Sequence, residues 1–324
     1  MGSNKSIRSI IIPFIKKELY GKKFSAVIDI TDMCNLRCRH CYHRNSIASD
    51  DSVSLAEWER RFATYRDMGI VYAVLAGGEP TLRYDVMQLA EDYFPFISVF
   101  TNGQIKLPEE FNRRIYLSLD GMRDLNDAVR GEGTFDRAVD NYHGNKRVIV
   151  NCILSKMNYS TPEALEEFIE FVRSMDVLGL DITFFLPQVN NPQDTAILLD
   201  DDERRAVGEV LKREVRRADS ILFDTEDAIE RSVNNTFIPG RCSCREGNYF
   251  ISMHNTFKYC TSETNDCSRC RVRGHYYVPI WNFCEWWRFK KMMLSWTVAH
   301  PARRRMALHS TQPLPETHYT YESV

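Results

Sequence analysis

The chain has 324 residues, 44% hydrophobic and 27% charged, with a formal net charge of -2. That is enough for one large α/β domain with an appendage, and the near-balanced charge gives no basic face of the kind nucleic-acid binding uses. No apolar run approaches the ~20 residues that span a bilayer, which excludes an integral helical membrane protein.

In chain order, Ile7, Ile10, Ile11, Phe14 and Ile15 fall on one helical stripe, with Lys5, Arg8, Lys16 and Lys17 off it and Pro13 interrupting. Residues 1–22 are therefore expected to be an amphipathic segment that packs on its own domain, the alternative being a peripheral contact with a membrane surface. Strand patterns follow at Ser25 to Ile30, Tyr72 to Ala76, Ile97 to Phe100, Ile115 to Leu119, Val148 to Leu154 and Asp181 to Leu186. Helical patterns lie between them at Leu55 to Met68, Tyr84 to Tyr93, Phe135 to Asn141 and Thr161 to Met175, the last with Pro162 in its first turn. This alternation predicts an α/β fold, a partial (β/α)6 TIM-like barrel over residues 23–190.

Bridging helices are expected over 191–238, around the charged run Asp201 to Ala218. A small cysteine-rich domain is expected over 239–290. The stretch 291–324, with Arg303-Arg304-Arg305, Pro313 and Pro315, is expected to end a helix and then run as a loosely ordered tail.

In folds of this class, ligands gather at the carboxyl ends of the strands. Cys34 follows the first strand, Gly77-Gly78-Glu79-Pro80 the second, Thr101-Asn102-Gly103 the third and Asp120-Gly121 the fourth. The ten cysteines, without a secretory signal, indicate a reducing, cytoplasmic compartment in which thiols ligate metals. Cys34, Cys38 and Cys41 form one group; Cys242, Cys244, Cys260, Cys267, Cys270 and Cys284 form a second, with Cys152 between them in a strand as a buried small residue. Three thiols within eight residues supply three ligands to one centre and leave a position for a cofactor. A zinc site completed by His40 is the alternative.

Cys34-x3-Cys38-x2-Cys41 followed by Tyr42 resembles the cluster loop of the radical S-adenosylmethionine (SAM) superfamily. Gly77-Gly78-Glu79-Pro80 resembles its GGEP segment and Thr101-Asn102-Gly103 its TNG. Ser118-Leu119-Asp120-Gly121 and Arg130-Gly131-Glu132-Gly133-Thr134-Phe135 resemble the SLDG and RGxGTF segments of the subgroup with C-terminal SPASM or Twitch extensions. The resemblance runs from about Ser25 to Met157. It implies a [4Fe-4S] cluster on Cys34, Cys38 and Cys41 that binds SAM and cleaves it reductively to a 5'-deoxyadenosyl radical, which abstracts hydrogen from a substrate. It further implies that Tyr42, Gly77, Gly78, Glu79, Pro80, Asn102, Ser118 and Arg130 surround SAM, the GGEP segment meeting its ammonium and Ser118 and Arg130 its carboxylate. A low-potential electron donor such as flavodoxin or ferredoxin is implied with it.

The second group resembles a Twitch-type extension, with Cys244, Cys260, Cys267 and Cys270 as ligands of an auxiliary [4Fe-4S] cluster and Asn255 where the pattern places glycine, a tolerant exchange because Asn adopts left-handed backbone. Cys242 is an alternative to Cys244, and Cys267-x2-Cys270-x13-Cys284 echoes the three-cysteine motif of the GTP-rearranging enzyme of molybdenum-cofactor synthesis. A structural zinc ribbon on the same four cysteines is the competing reading. Left unligated, Cys242 or Cys284 would serve as a hydrogen donor. The expected role is an oxidoreductase or maturase acting on a peptide or natural product. The alternatives are a lipid or sugar intermediate, or a non-catalytic zinc or iron-sulfur protein.

Overall fold

Six parallel strands cross one sheet in chain order: β1 (Ser25–Thr31), β2 (Tyr72–Gly77), β3 (Phe96–Thr101), β4 (Arg114–Ser118), β5 (Val148–Leu154) and β6 (Gly179–Phe184). The computed structural model describes residues 23–43, 47–49, 51–159, 161–189, 191–234, 248–258, 260, 266, 269 and 270. Sequential parallel pairing with helical crossovers is the topology of a partial (β/α)6 barrel. The strands are buried on both faces, as β2 shows with Tyr72 to Ala76 all shielded, which is why they read as continuous apolar runs.

The helices of the described residues are α1 (Leu55–Asp67), α2 (Tyr84–Tyr93), α3 (Arg123–Arg130), α4 (Thr134–Tyr142), α5 (Pro162–Ser174), α6 (Pro192–Ala196), α7 (Asp201–Arg216) and α8 (Glu226–Asn234). Their starts follow local chemistry. Ser54 accepts from Glu57 N at α1, Thr161 accepts from Ala164 N with Pro162 in the first turn of α5, and Asp200 and Glu203 form a reciprocal capping box at α7. On α1, Trp58, Phe62 and Tyr65 recur at helical spacing and are buried, Phe62 meeting Trp58 at 5.3 Å and Phe94 at 5.4 Å between ring centroids.

Two features go beyond the sequence expectation. Helix α3 is short, eight residues with Leu125, Ala128 and Val129 on one side, and Asn126 Oδ1 within it accepts from Asp120 N at 3.1 Å. The second is a hairpin, β7 (Asn248–Ile251) and β8 (Phe257–Lys258), that extends the main sheet at the free side of β1, β7 pairing parallel to β1 from Ser25↔Asn248 to Ile28↔Ile251. This stretch of the cysteine-rich region is thus a continuation of the barrel sheet. Asn255 in its turn has φ +61°, the left-handed conformation that made it an acceptable substitute for glycine, and its Oδ1 accepts from Tyr65 Oη at 2.6 Å. The amphipathic segment, Cys242, Cys244, Cys267, Cys284 and the tail lie outside the described residues.

Phe62 carries the aromatic layer under α1. Phe62→Ala should lower unfolding stability by about 3–5 kcal/mol, read from urea titrations, by loss of burial and opening of a cavity; a change under about 1 kcal/mol would show that this layer is not part of the cooperative core.

Candidate active site

The loop after β1 begins with Thr31, whose Oγ1 accepts from Met33 N at 3.0 Å, and then carries the three cysteines. Cys41 N donates to Cys38 O at 3.1 Å, Arg37 Nη1 donates to Cys34 O at 2.9 Å, and Arg39 N donates to Val129 O on α3 at 2.9 Å, so the loop is fixed at both ends. None of the three is in a disulfide, and all three are half-buried. Burial raises the Cys34 thiol, and it pushes Cys38 up to about 11 against the opposing charge of Arg130; neighbouring cysteines add to both. Thiolates crowded in this way are costly without a cation to neutralise them.

The turn after β2 grips this loop. Gly78 N donates to Thr31 O and Glu79 N to Met33 O, both at 2.7 Å. A Cβ on Gly77 would stand 2.2 Å from Thr31 O and one on Gly78 2.1 Å from Met33 O, so only glycine permits the approach. Pro80, buried, opens the following 3-10 turn at Pro80–Arg83. The Glu79 side chain, 1% exposed, accepts from Thr81 N (3.1 Å), Thr81 Oγ1 (2.6 Å), Thr101 Oγ1 (2.8 Å) and Asn102 N (2.7 Å). Burial raises its pKa and these donors oppose the rise. The sequence reading aimed this carboxylate at a ligand ammonium; here it braces the ends of β2 and β3. Asn102 in turn donates through Nδ2 to Asn35 Oδ1 at 2.7 Å and lies 4.0 Å from Cys34 Sγ, joining the TNG turn to the cysteine loop.

At the end of β4, Ser118 is half-buried and pairs in register with Asn151 of β5. Asp120, fully buried, accepts from Ile153 N at 3.0 Å and pairs with Arg130 Nε at 2.7 Å and His40 Nε2 at 3.3 Å. Burial raises its pKa, but Arg130 and then His40 outweigh burial and hold the carboxyl below its usual range. Arg130 is 8% exposed, so it is no surface residue of a turn, and its charge is felt at Cys38. His40 faces Asp120 through Nε2, and its ring lies 6.5 Å from that of Phe185. Tyr42 is exposed, its ring tilted against that of His43 at 4.4 Å, and its carbonyl accepts from Gln188 Nε2 at 3.5 Å.

Among the described residues no three His, Cys, Asp or Glu side chains are drawn together tightly enough for a single metal ion. The fit to an iron-sulfur cluster rests instead on the donor set: three half-buried thiols on one loop, none in a disulfide, with Arg130 opposing negative charge at Cys38. Of the second cysteine group, Cys260 and Cys270 are described and half-buried, Cys260 two residues beyond β8.

The site is thus a three-thiol loop at the carboxyl edge of a parallel sheet in an α/β domain. Residues 28–175 match the family model described as Radical SAM superfamily, and the chain carries a radical SAM domain, a family that implies a SAM-binding [4Fe-4S] cluster. It is similar to Fe-coproporphyrin III synthase of Methanosarcina barkeri, 29% identical over 183 residues that cover 52% of this chain and 45% of that protein. Mycofactocin maturase MftC of Mycobacterium tuberculosis is 32% identical over 122 residues, 34% of this chain and 31% of the relative. The chain thus spans less than half the length of these curated relatives. In fold it resembles Streptococcus suis SuiB bound to S-adenosylmethionine, with TM-score 0.60 and 17% identity over 85% of this chain and 71% of that one. SuiB has also been solved with its precursor peptide SuiA, a structure with TM-score 0.58 and 16% identity over 86% of this chain and 70% of that one.

Sequence reasoning placed Cys34, Cys38, Cys41, Glu79, Asn102 and Arg130 on one edge, and the structure brings them together. It missed the joint hold of Asp120 on Arg130 and His40, and the role of Asp127. The Asp127 carboxylate accepts from Gly133 N (2.8 Å), Phe135 N (2.9 Å) and Thr134 Oγ1 (3.1 Å), shaping the RGEGTF turn. Acid four to eight residues ahead of a Gly-x-Gly-Thr turn was the available signal.

Two outcomes follow from these contacts. Gly78→Ala should lose most of its reconstituted iron while Gly144→Ala, whose added methyl meets nothing within 4 Å, keeps it; iron and sulfide analysis reads the difference. Partial burial raises the Asp127 pKa, but the Phe135 and Gly133 amides and the Asn126 and Thr134 side chains lower it overall. A lowered folded pKa gives stability that is present above the ordinary value near 4 and is lost as pH falls through the folded pKa. Asp127→Asn should therefore be about 1–2 kcal/mol less stable at pH 7, with the gap to wild type closing below about pH 4 in urea titrations. A gap that stays constant with pH would show that charge plays no part.

Proposed function

We propose that this protein is a radical SAM oxidoreductase that matures a peptide or peptide-derived natural product. The observation that carries the reading is the joining of the three-thiol loop to the Gly77-Gly78 turn and Asn102 at one sheet edge, in a chain with a radical SAM domain. Cys34, Cys38 and Cys41 hold the cluster. Bound together, cluster and SAM supply one-electron cleavage of a carbon-sulfur bond and hydrogen abstraction from the substrate.

The chain's own residues bind, orient and exclude water. Arg130 offers the rest of its fork to the SAM carboxylate while Asp120 holds its Nε, and Ser118 adds a hydroxyl from β4. Gly77, Gly78 and Pro80 shape the backbone that meets the ammonium, Glu79 positions that backbone, and Asn102 and Tyr42 line the sides. Cys260 and Cys270, with Cys244 (or Cys242) and Cys267, hold an auxiliary [4Fe-4S] cluster, and a flavodoxin- or ferredoxin-class donor supplies electrons in the cytoplasm. Maturation is supported by the mycofactocin maturase MftC, and peptide as substrate by SuiB, solved with a precursor peptide. Among the described residues no helix is long and apolar enough to cross a membrane.

Anaerobic reconstitution should give about eight irons per chain, and about four when Cys34, Cys38 and Cys41 are all Ala; four irons plus one zinc in wild type would remove the auxiliary cluster. With dithionite and SAM the wild type should form 5'-deoxyadenosine, and the triple variant should not. Cluster-replete, reduced wild type that cleaves no SAM would overturn the reading. Arg130→Ala should weaken SAM binding by about 1.5–3 kcal/mol and Arg130→Lys by less, measured by isothermal titration at matched iron content. Equal dissociation constants for all three proteins would take Arg130 out of the site.

A further inference from the structure

We propose that the cavity at the carboxyl ends of β5 and β6 binds a carboxylate attached to an apolar body, with Arg204 and Arg269 reading the carboxylate. The cavity is about 240 Å3 and is walled by Leu154, Phe184, Phe185, Leu198 and Leu199, with the two arginines as its charged members. That size takes a side chain or a small headgroup, since cavities for whole drug-sized ligands run from about 300 Å3 upward. As a ligand site the cavity stands on its own; as the place where substrate is held it rests on the radical SAM reading above.

Three observations converge. Arg204, in the first turn of α7, donates through its two terminal nitrogens to Leu199 O and to Asp201, yet its Nε is shielded from solvent and has no acceptor among the described residues. A buried guanidinium donor without an acceptor is costly, and a ligand oxygen in the cavity would satisfy it. Second, each arginine has one acid partner, Asp201 for Arg204 and Asp266 for Arg269, and each pair has an exposed member that solvent screens. Asp201 is 75% exposed and so screened by solvent, Asp200 and Glu203 face Lys156, Asp202 pairs with Arg205, and Asp266 stands 3.6 Å from Arg269 Nε. Third, the cavity touches the radical domain: its wall residue Phe185 meets the ring of His40, inside the cysteine loop, at 6.5 Å.

Arg269 reaches this rim from the cysteine-rich segment. Asp266 N donates to Pro187 O at 2.9 Å and Arg269 Nη1 to Thr195 Oγ1 at 2.9 Å, which docks the stretch on the β6–α6 connection. The apolar walls come from the strands and the charge from outside them, so a ligand would place its apolar part on Phe184 and Phe185 and its carboxylate between the arginines. A free carboxylic acid and a peptide carboxylate share this chemistry.

The test uses full-length, cluster-reconstituted protein and three probes in isothermal titration: N-acetyl-phenylalanine, N-acetyl-phenylalaninamide, and a capped peptide with an internal glutamate beside leucine. Wild type should bind the acid at least tenfold more tightly than the amide. Arg204→Gln and Arg269→Gln should each bring the two probes within about threefold, and Leu198→Trp should abolish binding by filling the cavity. Arg269 is half exposed, so its replacement keeps the test valid if Arg204→Gln proves unfolded by circular dichroism. Tighter binding of the capped peptide identifies a peptide carboxylate as the ligand, and tighter binding of the free acid a small molecule. Equal binding of acid and amide, a preference that survives in Arg269→Gln, or no binding of any probe would overturn the proposal. SAM cleavage by the same wild-type sample is read in parallel: selective acid binding without 5'-deoxyadenosine would sink the radical chemistry and leave the cavity assignment standing.

Discussion

The strand-end architecture depends on one close approach, that of the Gly77-Gly78 backbone to residues 31–33. Carbonyls of Thr31 and Met33 stand where side-chain carbons would otherwise be, and both accept from the turn. This contact sets where the cysteine loop leaves the sheet, and therefore where three thiols can meet a cofactor. Glu79 makes the contact rigid, because its four donors come from the 3-10 turn and from the end of β3, so that a single buried carboxylate joins two successive loops. A carboxylate so satisfied is stable in a dry site, whereas loss of any one donor would leave part of its charge uncompensated.

A second buried charge does comparable work on the far side. Asp120 holds Arg130 and His40, and His40 belongs to the cysteine loop while Arg130 closes α3. Buried ion pairs are weak contributors to net stability, since desolvation offsets most of the attraction, but breaking one is expensive. The consequence is geometric. The loop is held on one side by main-chain bonds from the β2 turn and on the other by Asp120, and Arg130 supplies positive potential where thiolates accumulate.

Much of this was legible in the sequence because it is local or periodic. All six barrel strands were marked by apolar runs, and the two glycines of the GGEP segment announced a tight turn. What the letters did not show is that Thr101 and Asn102 arrive beside the Glu79 carboxylate and donate to it. Helix α3 escaped because it is only eight residues long and Asn126 and Asp127, which bond to the turns on either side, read in the sequence as loop residues. The β7 pairing with β1 joins residues more than two hundred positions apart, and nothing within Asn248–Ile251 encodes its partner.

That long-range pairing changes how the second cysteine group relates to the first. A separate appendage would leave the distance between the groups to a linker. Here β7 lies directly on β1, the strand that leads into Cys34, and β8 returns toward Cys260, while the Asp266 amide and Arg269 fix the following stretch to the β6–α6 connection. The described cysteine-rich residues therefore meet the barrel at β1 and again beyond the end of β6, at Pro187 and Thr195. Tyr65 on α1 and Lys258 on β8 extend the same attachment, the first through Asn255 and the second through Asp29 at the centre of β1. The described residues 248–258, Asp266 and Arg269, anchored at these separated points, are therefore positioned by the barrel itself.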